Sequence, residues 1–245
     1  VEAMAASATV AFGGIDILVN NAALMVEIVD KPLIQTDKAR FDKGIAVNLW
    51  GAINCAQVIA PFMAQRGGGS IINQVSAGAF PAQSFYGVTK IALLGATTTL
   101  ATELGKQGIR VNAIGPGMTK SDAGLSLTPD DSPLVQMAAA RTPIQLRDTP
   151  DALCGALLLL VSDAGRWMTG QVLNVDGGWV MRNCRAAPKR PSERGGPAIS
   201  GTAPFHWFRL VVSILVLHEV GLGRRAFGAD PVVGHIFPQR AGRDP

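Results

Sequence analysis

At 245 residues, 48% apolar and only 16% charged, the chain is long enough to bury a substantial core and too apolar for a disordered composition. Its net charge of +4 sits unevenly: residues 183–245 carry nine Lys/Arg against four Asp/Glu, a surplus of five that leaves the first 182 residues at −1. Nine scattered cations without interleaved aromatics argue against nucleic-acid or membrane binding, and three widely spaced cysteines, with every histidine beyond residue 182, argue against a metal site.

Val1 to Phe12 is alanine-rich and helical in pattern, with Gly13-Gly14 to end it. The chain starts inside this helical pattern at Val1, with no secretory signal, and so reads as a fragment. Ile15 to Val19 is a short β-branched run that suits a buried parallel strand, and it delivers Asn20-Asn21-Ala22-Ala23 at its carboxyl end. Leu24 to Lys43 mixes loop and helix. Ile45 to Gln65 is a long helical stretch containing Asn48, and Gly67-Gly68-Gly69 stops it. That triplet precedes a strand and opens no helix, so it reads as a helix cap and not as a phosphate loop.

Ser70 to Val75 is the next strand, followed by Ser76. Phe85 to Lys106 is a helix carrying Tyr86 and Lys90, with Gly108 beyond it. Arg110 to Ile114 is a third strand ending in Gly115-Pro116-Gly117. Ser132 to Arg141 and Asp151 to Val161 are helices, the second opened by Pro150 and Asp151, and Gln171 to Val175 is a last strand. Strands alternating with helices imply βαβ units in a doubly wound, Rossmann-like α/β parallel sheet, although no strand–glycine loop–helix of the dinucleotide-binding type occurs. Cys55 and Cys154 read as small buried residues on helices of a reduced, cytoplasmic protein. Beyond residue 182 the chain turns basic and proline-rich, with one isolated apolar patch around Leu210–Leu217 that is too short to span a bilayer. This tail reads as poorly ordered, of the kind a frame-shifted or read-through end produces.

Tyr86 is the only tyrosine in the chain. A phenol with a pKa near ~10 is a poor acid–base catalyst at neutral pH, and a lysine one helical turn on favours its anion by charge proximity. Such a tyrosine exchanges a proton with an alcohol or carbonyl oxygen, and a serine from a neighbouring strand end holds the same oxygen. A Tyr–Lys pair four apart is common on ordinary helices. Here Ser76, NNAA and GPG leave the carboxyl ends of three strands, where open α/β sheets bind ligands.

NNAA at 20–23, VNLWG at 47–51, GSIINQVS at 69–76, YGVTK at 86–90, RVNAIGPG at 110–117 and TGQVLNVDGG at 169–178, in that order, closely resemble the short-chain dehydrogenase/reductase family of the non-extended type. The resemblance covers residues 1–182. It implies an NAD(P)-dependent oxidoreductase that interconverts a secondary alcohol and a ketone, with a small carbonyl or alcohol substrate and a homodimeric or homotetrameric parent. By position, Tyr86 resembles the catalytic acid/base, Lys90 the residue that lowers its pKa and bonds the nicotinamide ribose, and Ser76 the serine that positions the substrate oxygen. Asn48 matches the asparagine that holds a relay water towards Lys90, or is a helix-interior asparagine capping a neighbouring backbone group. Asn21 and Ala22 resemble residues lining the adenosine and ribose side, and Pro116-Gly117 the turn beside the nicotinamide. Ser121 stands where a hydroxyl bonds the carboxamide, or is a turn residue.

The Ser76-to-Tyr86 interval is shorter than the family's commonest spacing, and Ala23 replaces a more frequent glycine. The family's first strand, glycine-rich phosphate turn and cofactor-selecting second strand would all precede Val1. NAD and NADP are then indistinguishable, Ile15–Val19 becomes an uncovered edge, and nucleotide binding by this chain is expected to be weak. The alternative is a truncated, inactive fragment that serves only as an oligomerisation or interaction module through the helices at 46–65 and 85–106.

Overall fold

The computed structural model describes residues 1–181, apart from 30, 81, 83, 145 and 146 and the side chains of 123 and 141. The expectations for the tail and its apolar patch lie outside the described residues. Four strands, β1 (Ile17–Asn20), β2 (Gly69–Gln74), β3 (Ile109–Pro116) and β4 (Val172–Val175), form one parallel sheet in the order β1-β2-β3-β4. Register runs from Ile17 opposite Ser70, through Ser70 opposite Arg110, to Ala113 opposite Val172. Consecutive parallel neighbours need helical crossovers, and the chain supplies them. They are α2 (Val26–Val29), α3 (Lys38–Ile45) and α4 (Gly51–Gln65) before β2, α5 (Phe85–Leu104) before β3, and α6 (Asp122–Leu127), α7 (Pro133–Arg141) and α8 (Cys154–Val161) before β4. A leading helix, α1 (Glu2–Phe12), packs through Ala5, while its Val10 and Phe12 are exposed.

Helices cover both faces, so the strands read as continuous apolar runs and not as alternating ones. Ile71 and Val111 point to the α4 and α5 side with Ile59, Ala60, Met63 and Ala101, while Ile72 and Ile114 point to the opposite side with Leu160 of α8. Ser70 ties the second face down by donating its hydroxyl to the Leu160 carbonyl at 3.1 Å. The glycine triplet is a helix stop, as read: Gly67 and Gly68 adopt φ 90° and 139°, and their N–H groups return to Ala64 and Met63. The helix running from Lys38 to Gln65 is long and apolar enough by composition to cross a membrane, and Ala52, Ala56, Ile59, Ala60 and Met63 turn that apolarity into core packing.

Two expectations change here. Cys154 is exposed and Cys55 half-buried, because Cys154 opens α8 on the side turned away from Leu160 and the sheet. The helical stretch around Asn48 is not a uniform α-helix: Ala46–Trp50 is a π turn, with the Gly51 N–H reaching back to the Ala46 carbonyl. The edge expected at Ile15–Val19 is present, with Ile17 and Val19 on edge strand β1 at 47% and 44% exposure.

Candidate active site

Ser84 starts α5 by accepting a hydrogen bond from Gly87 N at 3.1 Å, which sets the turn that carries Tyr86. The neighbouring Phe85 is fully buried and stacks on Phe41 with ring centres 5.1 Å apart. Gly44 of α3 lies under that ring, and any Cβ there would sit 2.6 Å from it. Phe85 thereby locks the angle of the helix at Tyr86, which is itself half-buried. The short Ser76-to-Tyr86 connection holds a 3-10 turn (Ala77–Ala79) capped by the Ser76 hydroxyl, which accepts from Gly78 N at 3.1 Å. It also holds Ala82 at φ 46°, a left-handed conformation that costs a non-glycine residue about 1 kcal/mol.

Lys90 is 1% exposed, with its Nζ 5.6 Å from the Tyr86 ring centre and donating to the Gln74 carbonyl, at the end of β2, at 2.7 Å. The charge effect expected between the two is overridden. Burial pushes the Tyr86 phenol up to about 12 and the Lys90 ammonium down to about 8, because each loses solvation of its charged form. In this arrangement the desolvation of Tyr86 outweighs any lowering by the lysine.

Asn48 is buried in the π turn and uses its whole amide. Its Oδ1 accepts from Leu24 N at 2.7 Å, and its Nδ2 donates to Leu24 O at 2.9 Å and to Thr89 Oγ1 at 3.0 Å. Thr89 in turn donates to the Tyr86 carbonyl at 2.8 Å. Asn48 thus joins the segment after the NNAA turn to the helix of Tyr86; of its two readings, the backbone-pairing one is realised in these bonds. Asn21 and Ala22 lie exposed just past β1. Their neighbour Asn20 donates to Asn73 Oδ1 at 2.9 Å, and Asn73 donates to Thr97 of α5 at 2.9 Å.

On the other side of the crevice, Pro116 ends β3 beside Val175, and Gly117 N donates to the Val175 carbonyl at 2.9 Å. Ser121 caps α6 by accepting from Gly124 N at 3.1 Å, so its hydroxyl has the turn role that was one of its two readings. Two clefts open beyond this turn. Met118, Val135, Ala138, Arg147 and Trp179 are among the residues lining one, and Gly117, Met118, Thr119, Asp148 and Asp176 among those lining the other; Ser76, Tyr86 and Lys90 line neither. Among the described residues no cluster of His, Cys, Asp or Glu suits a metal ion. The pairing of Thr89, Asn73, Asn20 and Arg147 was not legible in the sequence, since their partners are far along the chain or are backbone atoms.

Residues 1–180 match the family model described as enoyl-(acyl carrier protein) reductase. The chain belongs to the short-chain dehydrogenase/reductase family. It is an oxidoreductase of that family, whose members use NAD or NADP. An uncharacterised oxidoreductase of Mycobacterium tuberculosis strain H37Rv is 41% identical over 182 residues, 74% of this chain and 73% of that protein. A gluconate 5-dehydrogenase of Burkholderia cenocepacia, solved with NADP and tartrate, is 32% identical with a TM-score of 0.66, covering 73% of this chain and 69% of that one. A 7α-hydroxysteroid dehydrogenase, solved with NADH and 7-oxo glycochenodeoxycholic acid, is 33% identical with a TM-score of 0.66, over 72% and 68% of the two chains.

Proposed function

We propose that this chain interconverts a secondary alcohol and a ketone, with NAD or NADP as hydride partner and Tyr86 as the group that moves the proton. The observation that carries the reading is one junction. Tyr86 and Lys90 project from one turn of α5, Lys90 reaches the last carbonyl of β2, and Ser76 leaves that strand two residues later. In the reducing direction Tyr86 gives its proton to the carbonyl oxygen that Ser76 holds, as the carbonyl carbon receives hydride; oxidation reverses both transfers.

The residues present suit a nicotinamide nucleotide on one count. Lys90 has three N–H donors and, among the described residues, one acceptor, Gln74 O, which leaves donors for ribose hydroxyls. The nucleotide, when bound, supplies or takes up the hydride. Asn21 and Ala22 would line its adenosine side, and Pro116, Gly117 and Ser121 its nicotinamide side. Asn48 holds the Tyr86 helix in register with that crevice through Thr89, at the carboxyl edge where parallel sheets bind ligands. With the phenol pushed up to about 12, Tyr86 enters as the acid; turnover in the oxidising direction then needs the phenolate to be stabilised as the ligands bind. In this reading residues 1–182 carry the acid–base part of the site, and the enzyme works on a small carbonyl or alcohol compound in the cytoplasm as a homodimer or homotetramer.

The test is ketone reduction by the purified chain with NADH and NADPH, followed beside the Tyr86→Phe variant. Loss of turnover by about 10²–10⁴-fold, with nucleotide affinity unchanged, is expected. Turnover retained by Tyr86→Phe would remove the tyrosine from the mechanism. A second reading, an inactive pairing module, is favoured by the open, apolar edge of β1, and its expected result is no turnover in either protein but concentration-dependent association.

A further inference from the structure

Arg147 holds together the segment that follows β3. Its Nε donates to Met118 O at 3.0 Å, its Nη1 to Thr128 O at 2.7 Å and Asp130 Oδ1 at 2.9 Å, and its Nη2 to Thr119 O at 3.3 Å and Thr128 Oγ1 at 3.3 Å. A guanidinium has five N–H donors, and all five are used. The acceptors fall into two groups, Met118 and Thr119 just after Gly117, and Thr128 and Asp130 just after α6. One rigid fork therefore closes residues 118–130 into a loop with α6 and its Ser121 cap inside. Two further ties support it: Lys120 N donates to the Asp148 carbonyl at 2.9 Å, and Lys120 Nζ stands 3.2 Å from Asp130 Oδ2.

The side chain is only 9% exposed, and with Met118 it lines the largely apolar cleft of Val135, Ala138 and Trp179, in which Asp176 is the one carboxylate among the described residues. Met118, Ile144 and Asp176 are shared with the second cleft. An arginine in such a place ordinarily reads as a receptor for a carboxylate or phosphate. That role needs free N–H groups, and this guanidinium has none to offer.

We propose that Arg147 is a positioning residue that latches residues 118–130 beside the cleft, and that the cleft it walls takes an uncharged, largely apolar ketone or alcohol. The substrate half of this proposal rests on the dehydrogenase reading of Tyr86; the latch does not.

Hydrogen exchange of the full chain, read in peptides spanning 118–130, β2 and β3, tests the latch in Arg147→Met and Arg147→Lys. Exchange about tenfold faster or more is expected in 118–130 in both variants, with β2 and β3 unchanged, because a lysine keeps the charge but not the fork. Unchanged exchange in 118–130, restoration by lysine, or loss of protection throughout the sheet in both variants would each overturn it. Asp130→Asn, which spares four of the five acceptors, keeps the test decisive if Arg147→Met does not fold: a small, local increase supports the latch and a sheet-wide one refutes it.

Turnover supplies the second readout. With an alkyl methyl ketone as probe, Arg147→Met should raise KM about tenfold or more while kcat stays within about threefold, the signature of lost positioning and not of lost chemistry. A wild-type preference for a 2-oxo acid over its methyl ester that disappears in Arg147→Met would show an anion receptor and sink the proposal. Fast exchange in the variants with no turnover by the wild type would retain the latch and retire the dehydrogenase reading. Wild-type turnover with unaltered exchange in Arg147→Met would do the reverse.

Discussion

Along one edge of the sheet, the side built from β2 and α5 holds its polar groups by burying them, while residues 118–130, themselves half-buried or exposed, are held by one arginine that is 9% exposed. Asn48, Asn73, Thr89, Lys90 and Thr97 are all essentially solvent-free, and they bond mostly to one another or to helix and strand carbonyls. Residues 118–130 bury little and rely on Arg147 from 17 or more positions further on. Burial makes each bond expensive to lose, since the abandoned partner has no water to turn to. The segment that Arg147 holds is not itself buried, so water meets its freed carbonyls and the loss stays local. In the proposed function, the difference gives rigidity to the side that moves the proton and adjustable closure to the side that takes the substrate.

The largest effect that distinguishes the two sides is expected from Asn73→Ala. It removes the amide between Asn20 and Thr97 and opens a small cavity in the core, while Asn20 Nδ2 keeps its 3.4 Å bond to Ala52 O and Thr97 Oγ1 its 2.8 Å bond to Leu93 O. A loss of about 2–4 kcal/mol is expected, lowering the thermal midpoint by roughly 4–16 °C for a domain of this size. A shift under about 1 kcal/mol would put the buried ladder on a par with surface polar contacts and erase the contrast.

The strands, and the placing of Tyr86 and Lys90 on one turn of a helix, were legible because their signals are local. IDILV, SIINQV and RVNAI are β-branched runs bounded by turn residues, and Tyr86 and Lys90 sit four apart on one helix. Boundaries moved where pairing decided them: β3 runs on to Pro116 because Val175 lies opposite it. The π turn at Asn48 leaves the apolar pattern unchanged, so periodicity does not report it. Asn20 and Asn73 are 53 residues apart, and three of the five acceptors of Arg147 are backbone carbonyls, which carry no residue identity to read. Charge proximity between Tyr86 and Lys90 follows from spacing alone, whereas the desolvation that overrides it depends on what packs around them.

Lys90 sharpens the comparison from within the buried side, since it is held there against its own solvation. Lys90→Met should abolish ketone reduction and yet raise stability at pH 7 by about 1–3 kcal/mol, the cost of the buried ammonium less that of the stranded Gln74 carbonyl. The sign in pH follows from the lowered value. Between about 8 and the ordinary lysine value the unfolded chain binds the extra proton, so wild-type stability rises with pH across that window. Tyr86, raised to about 12, opposes this only above the ordinary phenol value near 10. Urea titrations at pH 7 and 9.5 should therefore show the gap between variant and wild type narrowing; a gap that widens, or a variant less stable at pH 7, rejects the account.

The smallest effect belongs to Asp130, on the exposed side. Lys120 first and Arg147 second hold its carboxyl below the usual carboxylate range. A lowered carboxylate contributes fully above its ordinary value and loses that contribution as pH falls through its folded one. In the wild type, exchange in 118–130, corrected for intrinsic rates, should therefore quicken modestly below about pH 4. Asp130→Asn should remove that response while leaving exchange at neutral pH within about threefold and the thermal midpoint unmoved, because the fork keeps its bonds to Met118, Thr119 and Thr128. If the asparagine variant instead opens the segment as far as Arg147→Met does, the hold resides in the ion pair and not in the carbonyls. The exposed side would then depend on charge, and its closure on salt.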